Sequence, residues 1–169
     1  MEFTNIAHII VTESAANTLT FKKLETGISI NQKVGWLVHK LEYYFQGVLL
    51  TGTTFDGTND TFAGALCGSN SFTDIDDQSN PAILDLMYLR RLDAGVATSM
   101  IVVSWPLIKD FSMLPGGGLL IPPSPLYLAA KGTGLAAAAT LRVRIYYSPI
   151  DLKTEDYWQL LEMYRLTSS

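Results

Sequence analysis

The sequence predicts an all-β chain, an antiparallel sandwich that ends in one short α-helix. Three observations predict it. Through the first two-thirds of the chain, short apolar runs are separated by Gly, Asn, Asp and Thr clusters, with no internal repeat and no linker. From Thr140 to Tyr147 the residues Leu141, Val143, Ile145 and Tyr147 alternate with Thr140, Arg142, Arg144 and Tyr146, the cleanest period-two pattern present. A helical signature appears only in the tail, after Thr154.

Each element has its own justification. Ile6 to Val11 is a short apolar run, and Thr18 to Thr26 alternates well enough to put Leu19 and Phe21 on one face. Val34 to Phe45 reads as one long strand. Leu37, His39, Leu41, Tyr43 and Phe45 fall on one face, and Trp36, Val38, Lys40, Glu42 and Tyr44 on the other. Gly47 to Thr53 can continue into a further strand, Asp56 to Asp60 has the chemistry of a tight turn, and Phe62 to Cys67 is a short strand. Gly68 to Pro81 is polar and reads as a long loop. Ile83 to Leu92 fits either period, and its neighbours decide for a strand. Thr98 to Trp105 is β-branched and apolar, as in a strand buried on both faces.

Pro115-Gly116-Gly117-Gly118 is the sharpest break in the chain. After it, Leu119 to Pro125 mixes apolar side chains with Pro122, Pro123 and Pro125, which cannot donate to a central ladder and belong at a sheet edge or rim. Leu126 to Ala130 resumes an extended strand, turned by Gly132-Thr133-Gly134. Ala136 to Ala139 has helix propensity but runs straight into the alternating strand. In the tail, about 154–165, Thr154 is placed to cap a helix whose first turn holds Glu155 and Asp156, with Arg165 in the last turn. Tyr157, Leu160, Leu161 and Tyr164 share one stripe with Trp158 beside it, suited to docking on the chain's own sandwich or on a neighbouring subunit.

Composition narrows the function. The 169 residues make one domain, 1–169, long enough to bury roughly two-thirds of the unfolded surface. Only 17% are charged while 48% are hydrophobic, and mean hydropathy is +0.20. That is more apolar surface than a solitary domain usually hides, and contact with other protein chains is the expected outlet. No stretch approaches the roughly 18 apolar residues of a membrane span. Met100 to Ile108 is interrupted by Ser104 and Pro106, and Met1-Glu2-Phe3 lacks the basic segment of a secretory signal, so synthesis in the cytoplasm is expected. The net charge is -4 and the cations are scattered, without a basic arm, so no direct packaging of nucleic acid is expected.

Catalytic constellations are not apparent, and no enzymatic activity or resident cofactor is expected. His8 and His39 are the two histidines, and His39 reads as a half-buried strand residue. A cupin-type metal site needs clustered histidines, which this spacing does not supply, and neither a nucleophile elbow nor a zinc-binding His-Glu-x-x-His is present. The triglycine lacks the Lys and following helix of a phosphate loop. Cys67, the single cysteine, reads as a small buried hydrophobe. Asp56, Asp60, Asp74, Asp76 and Asp77 offer hard oxygen ligands, making calcium the one metal to consider, although no complete calcium loop is present. Trp36, Tyr43, Tyr44, Trp105 and Trp158 are aromatic enough to stack on sugars in a glycan- or receptor-binding module, but their positions suit core and interface better.

The order of these segments resembles that of the single jelly-roll capsid proteins of small icosahedral viruses. The residues that carry the likeness are Leu19 to Leu24, Thr26-Gly27-Ile28-Ser29 leading into Val34 to Val38, Pro115 to Pro123, and Leu141 to Tyr147 running into Leu152 to Arg165. The resemblance implies two facing antiparallel sheets of four strands and assembly through lateral contacts under rotational symmetry. It also implies residence in a virion, with copies of the chain and other virion proteins as partners. Tyr157, Trp158, Leu161, Tyr164, Pro122 and Pro123 are the expected subunit-interface residues.

Overall fold

A computed structural model of the chain describes residues 4–28, 30–46, 61–77, 79–90, 106–123, 125–135 and 137–165. The strands are β1 (Asn5–Thr12), β2 (Thr20–Lys23), β3 (Val34–Gln46), β4 (Thr61–Cys67), β5 (Ile83–Arg90), β6 (Leu107–Asp110), β7 (Leu119–Ile121), β8 (Tyr127–Thr133) and β9 (Thr140–Asp151), followed by helix α1 (Thr154–Arg165). The segments expected at Gly47 to Thr53, Asp56 to Asp60 and Thr98 to Trp105 lie outside the described residues.

Every pairing is antiparallel, and the pairs are nested. The first strand pairs with the last, β1 with β9, then β2 with β8, β3 with β6 and β4 with β5. Closing this folded-back ribbon gives one sheet in the order β1-β9-β3-β6 and a second in the order β2-β8-β4-β5. That is the jelly-roll arrangement. The short β7 adds a fifth segment to the first sheet by pairing with Trp36 to Val38 of β3. Pro122 and Pro123 follow it at once and end its ladder, as residues without an N–H must.

The core lies between the sheets. Leu141, Val143 and Ile145 of β9 face Phe62 and Leu66 of β4 and Leu128 and Ala130 of β8, all fully buried. Phe45 meets Phe62 edge-on across the gap, with centroids 5.3 Å apart. Each such aromatic contributes about 1.5–3 kcal/mol by leaving water. Gly64 lets the sheets approach here, because a Cβ on it would collide with the end of the Leu141 side chain of the opposite sheet and force it to move.

The two-face reading of β3 is corrected by a β-bulge between Val38 and Lys40. Before the bulge Trp36 and Val38 point into the core, with Trp36 stacked on Tyr147 at 3.8 Å. After it Leu41, Tyr43 and Phe45 do. One extra residue switches which parity faces inward, so apolar residues from both expected faces enter a single core.

The second sheet is covered on its outer face too. Ala63, Ala65, Cys67 and Ala129 are small enough for the loop 68–82 to lie close, and it inserts Ile75 at 1% exposure. Phe72 of the same loop packs edge-on against Phe21 at 5.0 Å. Ala137 to Ala139 are not helical, because Ala139 is buried at the entry to β9 and its backbone is engaged by the β1–β2 turn. Helix α1 begins one residue earlier than a Thr154 cap implies, with Tyr157 N–H donating to Lys153 C=O at 2.9 Å. Thr154 Oγ1 accepts from Lys33 Nζ at 2.8 Å. No helix among the described residues is long and apolar enough to cross a membrane.

Candidate functional site

Three groups of polar side chains and a set of exposed apolar ones are the features from which a site can be built. The first lies on the outer face of the β1-β9-β3-β6 sheet. Register puts Lys40, Glu42 and Tyr44 of β3 opposite Tyr146, Arg144 and Arg142 of β9. Glu42 sits at the centre and is buried by its neighbours. Lys40 Nζ approaches Oε1 at 2.9 Å, while Tyr146 and Tyr44 hydroxyls donate to Oε2 at 2.9 and 3.1 Å. Burial raises the affinity of this carboxyl for a proton, but the donors from Lys40, Tyr146 and Tyr44 outweigh it and hold the group below its ordinary range. The cations also cover the rings, Lys40 over Tyr146 at 4.1 Å and Arg144 over Tyr44 at 5.0 Å. The two tyrosine faces are therefore occupied from within the sheet.

The second group ties the sheets together where their edge strands β5 and β6 meet. Tyr43 Oη donates to Asp85 Oδ2 at 2.6 Å, and Lys109 Nζ donates to Asp85 Oδ1 at 2.8 Å and to Leu86 C=O at 2.9 Å. Tyr43 is fully buried; that burial, then the Asp85 charge, pushes its phenol well above the usual value, so it serves as a donor. An open depression of about 440 Å³ lies beside this link, lined by Ile83, Leu84, Leu86 and Tyr88 as well as Asp85 and Lys109. Lys109 thus has two of its three protons committed within the fold.

The third group closes one end of the sandwich. Glu13 is buried, and its carboxylate accepts from Gly132 N–H at 2.6 Å and Ala139 N–H at 2.9 Å. Asn17, at φ 62°, pairs both ways with Leu135, accepting from its N–H at 2.7 Å and donating to its C=O at 2.9 Å. In effect two side chains stand in for missing backbone partners.

Apart from Tyr88 on β5, the exposed large apolar residues among those described lie in three places. Ile6 and Ile10 of β1 and Ile108 of β6 stand on the outer face of the first sheet, 50%, 44% and 54% exposed. Met113, at 92%, and Leu114 form the tip of the β6–β7 loop. That loop is held in shape by His39, whose Nδ1 and Nε2 bond Gly117 C=O at 2.9 Å and Ser148 Oγ at 2.8 Å. Gly116 and Gly117 take φ of 91° and 77°, a left-handed path that a side chain would oppose. On α1, Trp158 and Met163 point outward at 55% and 66%.

No protein-family model and no curated protein matches the chain. What the site can do follows from its own geometry.

Of the expected interface residues, Trp158 is exposed and Leu161 half-buried, while Tyr157, Pro122 and Pro123 are buried by the chain itself. The side chain of Tyr164 lies outside the described residues, as do Asp56 and Asp60. Asp74 and Asp76 are exposed, and Asp74 Oδ1 is engaged by the Asp76 N–H at 2.9 Å. Asp77 likewise accepts from Ser79 N–H at 3.0 Å. Among the described residues no group of three His, Cys, Asp or Glu side chains is arranged to hold a metal ion. Sequence reasoning missed Glu13 and Asp85; the available signal for Asp85 was its place as a lone charge inside the apolar run Ile83 to Leu89.

Cys67 is fully buried beneath the loop 68–82, and burial pushes its thiol up to about 12. The thiolate is the reactive form. Folded protein is therefore expected to resist alkylation by iodoacetamide at neutral pH and to take up one equivalent in denaturant, as intact-mass measurement will register. Prompt labelling of the folded chain would contradict this burial.

Proposed function

We propose that the protein is a structural subunit that assembles with copies of itself into a shell, of the kind that encloses a virus particle, with other virion proteins as further partners. The observation that carries this reading is the placing of exposed apolar side chains at three separate parts of a jelly-roll: the outer sheet face, the β6–β7 loop tip and helix α1. A shell subunit has several neighbours and needs several contact areas, whereas a simple dimer needs one. The low charge of the chain supports the same reading, since like-charge repulsion between many close copies is small.

Purified protein is expected to show mass rising with concentration in size-exclusion chromatography with light scattering, and closed or curved particles in negative stain. Met113→Glu and Trp158→Glu, at exposed positions, are each expected to shift the distribution toward the monomer without loss of thermal stability. A wild-type protein that stays monomeric at every accessible concentration overturns the reading. A glycan- or receptor-binding role rests on one observation, the exposed side chain of Trp158. Binding of a monomer to a glycan array, abolished by Trp158→Ala, would favour that role instead.

A further inference from the structure

We propose that β1 is the contact strand between two copies, pairing antiparallel with β1 of a second molecule about a two-fold axis at His8. This deepens the assembly reading and rests on it. Strand β1 is an edge of its sheet: β9 pairs with one side of it, and among the described residues no strand pairs with the other. Its sequence, Asn-Ile-Ala-His-Ile-Ile-Val-Thr, contains no Asp, Glu, Lys, Arg, Pro or Gly over 8 residues. Free edges normally carry charged residues or proline to prevent strand addition. This one lacks them and exposes Ile6 and Ile10.

The exposed pattern is self-complementary in one register. A two-fold axis through His8 sets Ile6 opposite Ile10 of the second copy, and Ile10 opposite its Ile6. Ala7 then meets Ile9 on the inner face. A shift by two residues in either direction sets an isoleucine against His8 or a threonine and loses these pairs. The charge arrangement agrees. No charged side chain of β1 meets its copy, and the nearest cations, Arg142 and Arg144, stand one strand back on β9 opposite Ile10 and His8. Two strands of this length form a strip about 27 Å long and about 10 Å deep, burying roughly 500 Å² in total. A self-sufficient interface needs about 1,200 Å² or more. The join is therefore weak alone and acts together with the other contact areas, as contacts in a shell do.

Cysteine trapping tests the register. With mild oxidant, His8→Cys is expected to give a covalent dimer on a non-reducing gel, since a residue on the axis faces itself within disulfide reach. Ile6→Cys and Ile10→Cys are expected to remain uncrosslinked alone and to crosslink when mixed. Cys67 is buried and stays out of the exchange, and Lys22→Cys on exposed β2 sets the background. Ile10→Lys is expected to raise the concentration needed for assembly by about tenfold or more. If His8→Cys crosslinks no faster than Lys22→Cys, or Ile6→Cys crosslinks with itself as readily, the β1 pairing is wrong. Assembly by the wild type in that same experiment would leave the shell reading standing; a wild type that never assembles removes both.

Discussion

Replacing Lys109 with methionine is expected to destabilise the fold by about 3 kcal/mol, because it leaves the buried Asp85 carboxylate without its cation. The stem of the side chain is kept, so little packing is lost. The cost arises from Asp85 Oδ1, which loses a partner at 2.8 Å, and from Leu86 C=O, which loses one at 2.9 Å. Tyr43→Phe removes the other donor to Asp85 and is expected to cost less, about 1–3 kcal/mol for one buried acceptor left unmade. The informative comparison is the triple variant Tyr43→Phe, Asp85→Leu, Lys109→Met. Removing all three polar groups together abolishes the desolvation cost along with the link, and stability is expected to return to the wild-type range or above it. Urea unfolding with an unchanged slope measures each step. A Lys109→Met variant as stable as wild type would mean that water already reaches the carboxylate.

Glu13→Ala is expected to be about as severe, near 3 kcal/mol. Two charge-assisted bonds from Gly132 and Ala139 disappear and both N–H groups are left inside the protein. Glu13→Gln keeps one acceptor oxygen and sets an NH₂ against the other amide, so roughly half the loss is expected. Hydrogen exchange localises the effect: the Gly132 and Ala139 amides should lose protection first, ahead of the β3–β9 ladder. Uniform loss over the whole sandwich would show that Glu13 supports global stability and not this end of it.

These two carboxylates mark the boundary of what the sequence could reveal. Strand β9 was legible because a sheet buried on one side imposes period two, and Leu141, Val143 and Ile145 are indeed the inward residues. The tail helix was legible because its signals are local, an acidic first turn and an apolar stripe. The bulge in β3 was not. Leu37 and Trp36 are both large and apolar, so nothing in the alternation announces the residue at which parity switches; the switch falls where the neighbour of β3 changes from β7 to β6. Glu13 had no signal in the sequence, since its partners are backbone amides more than a hundred positions away, and backbone leaves no mark in composition. The loop aspartates read chiefly as turn residues, with calcium the one metal to consider. Asp74 and Asp77 accept from the Asp76 and Ser79 amides of their own turns, in the loop whose Ile75 packs with Ala63 and Ala65.

The last strand among the described residues, β9, occupies an interior place in its sheet, between β1 and β3. Thr12 and its partner Thr140 are 128 residues apart. While the polypeptide is being synthesised, β1 and β3 have no common neighbour until β9 has left the ribosome, and their sheet closes only once Asp151 has emerged. During this interval β1, which carries no Asp, Glu, Lys or Arg, has no strand on either side.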